Sequence, residues 1–162
     1  MKRTLMLALV PLLASGCATR YIGETQIEDT EDNREVLKVV EQYRRAVEDK
    51  DVQRVLELTS DKFFEDPGTP HDPKDDYDKA GLRTRLEEAF SKVKDQHLEV
   101  NVRKLQLDEE ARSAAVEYVF DLRYRLDTAT GGEGDWRKEM DVNRVALQRE
   151  GEAAPWRIVS GL

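Results

Sequence analysis

An α+β fold, with three helices packed on a strongly curved antiparallel sheet, is the class that this sequence predicts. Three observations carry the prediction. Apolar residues recur at steps of three and four from Val36 to Val93, the period of helices with one buried face. Beyond Asp95 they alternate every second residue, the period of strands. That alternation then changes parity twice. A strand changes the face it buries only by taking in an extra residue, and such a bulge bends it. Helices first and strands after give an α+β layout.

The chain opens on Lys2 and Arg3 and then runs apolar from Leu5 to Leu13. A basic start before a short apolar stretch reads as a secretory signal, and it falls short of the roughly 20 apolar residues that span a bilayer. Ala14, Ser15 and Gly16 lead into Cys17, the chain's one cysteine. The stretch Leu13-Ala14-Ser15-Gly16-Cys17 resembles the lipobox of bacterial lipoproteins, with Ala14 where that family prefers Leu. The resemblance implies that residues 1–16 are removed as a signal peptide and that Cys17 carries a diacylglyceryl thioether. A lone thiol in an exported chain has no disulfide partner, and lipidation disposes of it. Each buried methylene contributes about 0.8 kcal/mol, so two or three chains make attachment nearly permanent. Ala18 follows the cysteine, where Asp would signal retention in enteric bacteria. By analogy the expected address is the bacterial cell envelope, lipid-anchored at the outer membrane.

Composition narrows the partners. The formal net charge is -8 over 162 residues, with 37% of residues charged. Phosphate backbones need clustered Lys and Arg, so nucleic acid is excluded as the expected partner. The same charge repels anionic headgroups, which leaves the lipid on Cys17 as the membrane contact.

Residues 17–31 lack a clear period and read as a lipidated tether; the domain is expected over 32–162. Asp32-Asn33-Arg34-Glu35 has the form of a capping box, and Val36, Val40, Tyr43 and Val47 follow at helical spacing. Glu48-Asp49-Lys50-Asp51 breaks the pattern before a short second helix with Val52, Val55, Leu56 and Leu58 inward. Phe63 and Phe64 mark an edge of the core. The run Glu65 to Pro73 is a loop by composition. Asp72 as cap and Pro73 in the first helical position start the third helix, whose stripe is Leu82, Leu86, Ala89, Phe90 and Val93. Gly81 inside it permits a close approach. Leu98, Val100 and Val102 then give way to Leu105 and Leu107, the first parity slip. Val116 to Leu126 keep one phase. Trp136, Met140 and Val142 give way to Val145 and Leu147, the second slip, with Lys138 on the face of Trp136 and Met140. Gly131-Gly132-Glu133-Gly134 reads as a hairpin tip and not as a phosphate loop. Trp156, Ile158 and Ser160 form a last strand.

Over about residues 32 to 162 the chain resembles the nuclear transport factor 2-like superfamily, which includes SnoaL-like proteins and ketosteroid isomerases. The carriers are Val40-Glu41-Gln42-Tyr43-Arg44-Arg45-Ala46, Lys50-Asp51-Val52, Phe64-Glu65-Asp66-Pro67 and Trp156-Arg157-Ile158. The resemblance implies a cone-shaped, cystatin-like fold whose helices close the concave side of the sheet. It also implies a candidate site. Asp66 matches the aspartate that moves a proton beside a carbonyl, Tyr43 matches the helix-one tyrosine that helps hold the resulting oxyanion, and Asn143 falls near the second oxyanion donor, which is usually a protonated acid. Read from the residues alone, Tyr43 belongs to an apolar stripe, Asp66 to a turn and Asn143 to the second bulge. His71, Asp72, Asp75, Asp76 and Asp78 match no metal-ligand spacing, so neither metal nor cofactor is expected. His97 stands isolated near a strand start.

Three functions stay open. The leading one is an envelope-anchored, non-catalytic domain that binds a protein partner, a second copy through the sheet face, or a small apolar ligand. The others are a pocket enzyme using Asp66 as general base and a structural subunit of an envelope assembly. A filled interior with an exposed apolar sheet face favours assembly; an enclosed polar cavity favours the ligand or the enzyme.

Overall fold

The computed structural model describes residues 20–67, 75–108, 110, 112–127, 133–151 and 153–162. Cys17, the signal segment, His71, Asp72 and the Gly131–Gly132 tip lie outside the described residues.

Three helices precede a four-stranded sheet. Helix α1 covers Glu31–Glu48, α2 Val52–Leu58 and α3 Lys79–Lys92. Two short strands, β1 (Phe64–Glu65) and β2 (Tyr77–Asp78), pair antiparallel between α2 and α3. Long strands β3 (Val93–Leu107), β4 (Ser113–Asp127) and β5 (Glu133–Gln148), with β6 (Arg157–Ser160), form an antiparallel sheet in the order β3-β4-β5-β6. The core lies between α1, α2 and the inner face of this sheet. Phe63, Leu147, Ile158, Val36, Val55 and Val116 are fully buried there.

Local chemistry sets the helix ends, and twice it differs from the sequence expectation. The cap of α1 is Thr30 and not Asp32: the Thr30 hydroxyl accepts from the Asn33 amide at 3.2 Å. Asp32 is drawn away to Arg149, 2.8 Å distant. Helix α3 begins at Lys79 and not after Pro73, because the Asp78 carboxylate accepts from the amides of Ala80 and Gly81 at 3.0 and 2.9 Å. The β1–β2 pairing holds Tyr77 and Asp78 extended up to that cap. Gly81 does mark a close approach: a Cβ there would stand 2.7 Å from Tyr77 Cβ.

The two parity slips have different causes. In β3, Val102 pairs with Tyr118 and Lys104 with Glu117, so Arg103 is an extra residue and the expected bulge is present. Between β5 and β4 no register shift occurs from Trp136 to Gln148; the one irregularity in that range lies on the other side, against β6 at Ala146/Leu147. The second bulge is therefore absent. Val145 and Leu147 face the core, while Trp136, Met140 and Val142 face outward and are 56%, 56% and 59% exposed.

The segment before α1 is folded. Tyr21 and Glu28 form an antiparallel bridge, Ile27 is buried, and the Asn33 side chain donates to the Glu28 carbonyl at 2.9 Å. At the other end of α1, side chains cover the free edge of β3. Arg44 Nη1 donates to the Leu98 carbonyl at 3.0 Å. Lys50, in the left-handed region at φ 55, donates to the carbonyls of Val93 and Lys94. An edge strand sealed in this way offers no free pairing groups there.

Candidate functional site

Three tyrosines meet near the start of β1 and the end of β6. Tyr43 comes from α1, Tyr77 from β2 and Tyr118 from β4. Burial pushes the Tyr43 phenol well above its usual range, and the neighbouring Tyr118 and Tyr77 phenols add to the effect. Burial also raises Tyr118, opposed by a hydrogen bond from Asn143. Tyr77 is raised by burial and by the Glu65 charge, and Arg85, stacked 4.2 Å from its ring, offsets part of this. These phenols stay protonated at neutral pH; Tyr77 donates a hydrogen bond and the Tyr118 hydroxyl accepts one.

The polar partners of Tyr118 and Tyr77 come from the chain itself. Asn143 Nδ2 donates to the Tyr118 hydroxyl at 3.1 Å and to the Gly161 carbonyl at 3.0 Å, while its Oδ1 accepts from the Arg144 amide at 2.8 Å. Both amide hydrogens are thus committed. Glu65 accepts from the amides of Gly161 and Leu162, and Tyr77 donates to the Leu162 carbonyl. Tyr43 and Leu162 both pack against the core cluster. The arrangement is a clasp on Gly161 and Leu162. Gly161 sits at φ 92 with Arg144 and Val145 directly beneath it.

Of the three residues read from sequence, Tyr43 and Asn143 enter this region. Asp66 is exposed. The carboxylate that reaches the cluster is that of its neighbour Glu65, the cross-strand partner of Tyr77. Strand alternation carries the signal that sequence reading missed. With Phe63 buried and Phe64 exposed, Glu65 turns back toward the core and Asp66 away. Asn143 sits on an unbroken strand and serves no bulge.

The outer sheet face is a second feature. Trp136, Met140 and Val142 line up on β5, with Val119 across from Val142 on β4. Among them Asp121 is 9% exposed, held by Lys138 at 2.9 Å, with Arg123 3.5 Å away. The Lys138 hydrogen bond keeps its carboxyl below the usual range, against the opposing effect of burial, and Arg123 adds to the lowering. Arg125 lies 5.0 Å from the Trp136 ring and pairs with Asp95. His97 sits at the margin, its Nδ1 2.6 Å from Glu48 Oε1.

Among the described residues no group of three or more His, Cys, Asp and Glu is placed to hold a metal, and no helix is long and apolar enough to cross a membrane.

No family model matches the chain, and neither does any curated protein. Solved structures do match. A ketosteroid isomerase-like protein from Erwinia carotovora atroseptica aligns at TM-score 0.65 with 14% identity, covering 82% of this chain and 94% of that one. A nuclear transport factor 2 (NTF2-like) superfamily protein from Salmonella enterica aligns at TM-score 0.64 with 10% identity, covering 80% and 87%. A conserved protein from Planctomyces limnophilus aligns at TM-score 0.64 with 14% identity, covering 80% and 92%. The fold is nuclear transport factor 2-like. At such identities the likeness is one of fold, and folds of this kind do not fix function.

Proposed function

We propose that this chain is a non-catalytic binding module, lipid-tethered to the cell envelope through Cys17, that meets a protein partner through the outer face of its sheet. One observation carries the reading: three large apolar side chains stand more than half exposed on a single strand face, at Trp136, Met140 and Val142. Fully burying side chains of this size contributes about 1.5–3 kcal/mol each, and contiguous exposed apolar surface marks interaction sites. Flanking ion pairs at Asp121, Lys138 and Arg125 supply the polar surround that protein interfaces use.

The pocket-enzyme reading finds less support. Asp66 is exposed, and the Asn143 amide that would hold an oxyanion is spent on Tyr118 and Gly161. General-base catalysis needs the base within hydrogen-bond reach of the substrate in an enclosed site, and the clasp on Leu162 occupies the polar groups available here.

The test is site-specific photo-cross-linking on membrane-extracted protein, with the probe placed at Met140 or, for comparison, at the exposed Glu88 of α3. A discrete protein adduct from Met140 and none from Glu88 is expected, whether the partner is another protein or a second copy. Adducts of equal yield from both positions, or none from Met140, would overturn the reading.

A further inference from the structure

A groove of about 1180 Å³ lies between α2, the start of α3 and the connection from β5 to β6. It shares no residue with the tyrosine clasp or with the apolar outer face. Its sign is opposite to that of the chain. Seven cations and three carboxylates line it, in a protein whose formal net charge is -8. The cations come from separate elements: Arg54 from α2, Lys79 and Arg83 from α3, Arg157 from the start of β6, and Lys62 and Arg112 from the segments between. The seventh, Arg149, is 7% exposed in its side chain, stacked 4.8 Å from the Trp156 ring and paired with Asp32. It forms part of the wall.

The internal pairs of these cations leave them able to take an anion. Arg54 stands 3.6 Å from Asp49, and Arg83 3.8 Å from Glu87, both beyond hydrogen-bond length. Lys62 pairs with Glu150 at 2.9 Å and Arg112 stands 3.4 Å from Glu110, but all four side chains are largely exposed, and such pairs are screened and weak. Lys79 is better anchored. It donates to the Thr59 carbonyl at 2.9 Å and to Asp61 at 2.8 Å, a carboxylate that is itself 97% exposed. Arg157 donates to the Glu57 carbonyl, which fixes it without neutralising it. Gln42, Gln53 and Gln148 add neutral donors and acceptors along the same surface.

We propose that this groove binds an anionic, polar ligand carrying several phosphate or carboxylate groups. The size favours an extended ligand, since pockets for compact small molecules run about 300–1,000 Å³. The lining favours charge-assisted hydrogen bonds, and a concave cationic surface concentrates anions even on an acidic protein. Phosphate groups could come from a free polyanion or from a lipid headgroup, and the same residues would recognise either.

Titration of the full chain with tripolyphosphate, followed by calorimetry and amide NMR shifts, tests the site. Binding that weakens with salt and shifts amides of α2 and the α3 start is expected. Arg54→Gln with Arg83→Gln should weaken it at least ~10-fold through loss of two charge-assisted contacts. Lys92→Gln with Lys104→Gln removes the same charge elsewhere and should change affinity less than ~2-fold, because screening limits its reach. No binding at low salt, equal losses in both double variants, or shifts confined to other regions would overturn the proposal. A second titration uses short-chain cardiolipin, whose headgroup carries two phosphates, below its micelle concentration. Affinity equal to or above that of tripolyphosphate assigns the groove to lipid headgroups, and binding of tripolyphosphate alone assigns it to free polyanions. A groove that fails this test leaves the outer-face reading untouched, because the two use different residues.

Discussion

Gly161 is where a single residue decides most. Its φ of 92 lies in the left-handed region, and a Cβ there would meet the Arg144 carbonyl and come within 2.8 Å of Val145 Cα. The obstruction is backbone and cannot swing aside. Gly161→Ala is therefore expected to cost more than about 2 kcal/mol, combining positive-φ strain with displacement of the clasp. Chemical denaturation of the two chains checks it, and an equal midpoint would show that Gly161 and Leu162 are held by less than Glu65, Tyr77 and Asn143 suggest. Residue-level reading of the sequence came close to this clasp and missed it by one position. Glu-Asp-Pro drew attention to Asp66 by resemblance, whereas the alternation Phe63 in, Phe64 out brings Glu65 inward. Tyr43 lies on the apolar stripe of its helix and packs against the core, a local pattern, but the partners of Asn143 lie 25 and 18 residues away in sequence and leave none.

At the scale of elements, the end of α1 locks the edge of β3 through a charge network. Glu41 accepts from Arg44 at 2.8 Å and from Arg45 at 2.7 Å, and the Arg44 hydrogen bond is the main reason its carboxyl is lowered from 4.5 to about 2. Glu48 is raised by burial but lowered more by hydrogen bonds from Arg44, His97 and the Leu98 amide, for a net fall. Both carboxyls are depressed by folding, so their stabilisation is fully present above the unfolded value of 4.5 and lost as pH falls through the folded values, which for Glu41 is about 2. Glu41→Gln should lower the denaturation midpoint at neutral pH, with the difference from the parent chain closing across that acid window. The Glu41 side chain is 44% exposed, so the difference should also shrink in about 1 M salt, where the screening length is near 3 Å. A difference that is constant with pH would count against the network. The helices were legible from their apolar period, and the β3 bulge from its parity. The β5 slip had the same appearance in sequence but a different cause: the apolar residues change face while the strand runs straight. Alternation reports which residues are apolar, and only burial tells which side is inside.

For the whole molecule, the α+β class was readable because helix-then-strand order leaves few arrangements, and the cone-shaped form followed from the resemblance carried by stretches such as Val40–Ala46. The cationic groove was not readable, since it gathers Arg54, Arg83, Arg112 and Arg157 from across the chain while the net charge pointed the other way. Anchoring is the molecule-wide property still to be measured. Intact mass of membrane-extracted protein should show a chain that begins at Cys17 and carries acyl groups, and Cys17→Ser should release it from the membrane fraction. An unmodified chain still starting at Met1 would remove the tether. The turn joining Tyr21 to Glu28 gives that tether a particular meaning. The Asp29 amide donates to the Arg20 carbonyl at 2.7 Å, so folded structure reaches Arg20, three positions from Cys17. Three extended residues reach at most ~10 Å. An acyl group on Cys17 would hold the domain within that reach of the bilayer, and a partner gripped there would have to come up against the membrane as well.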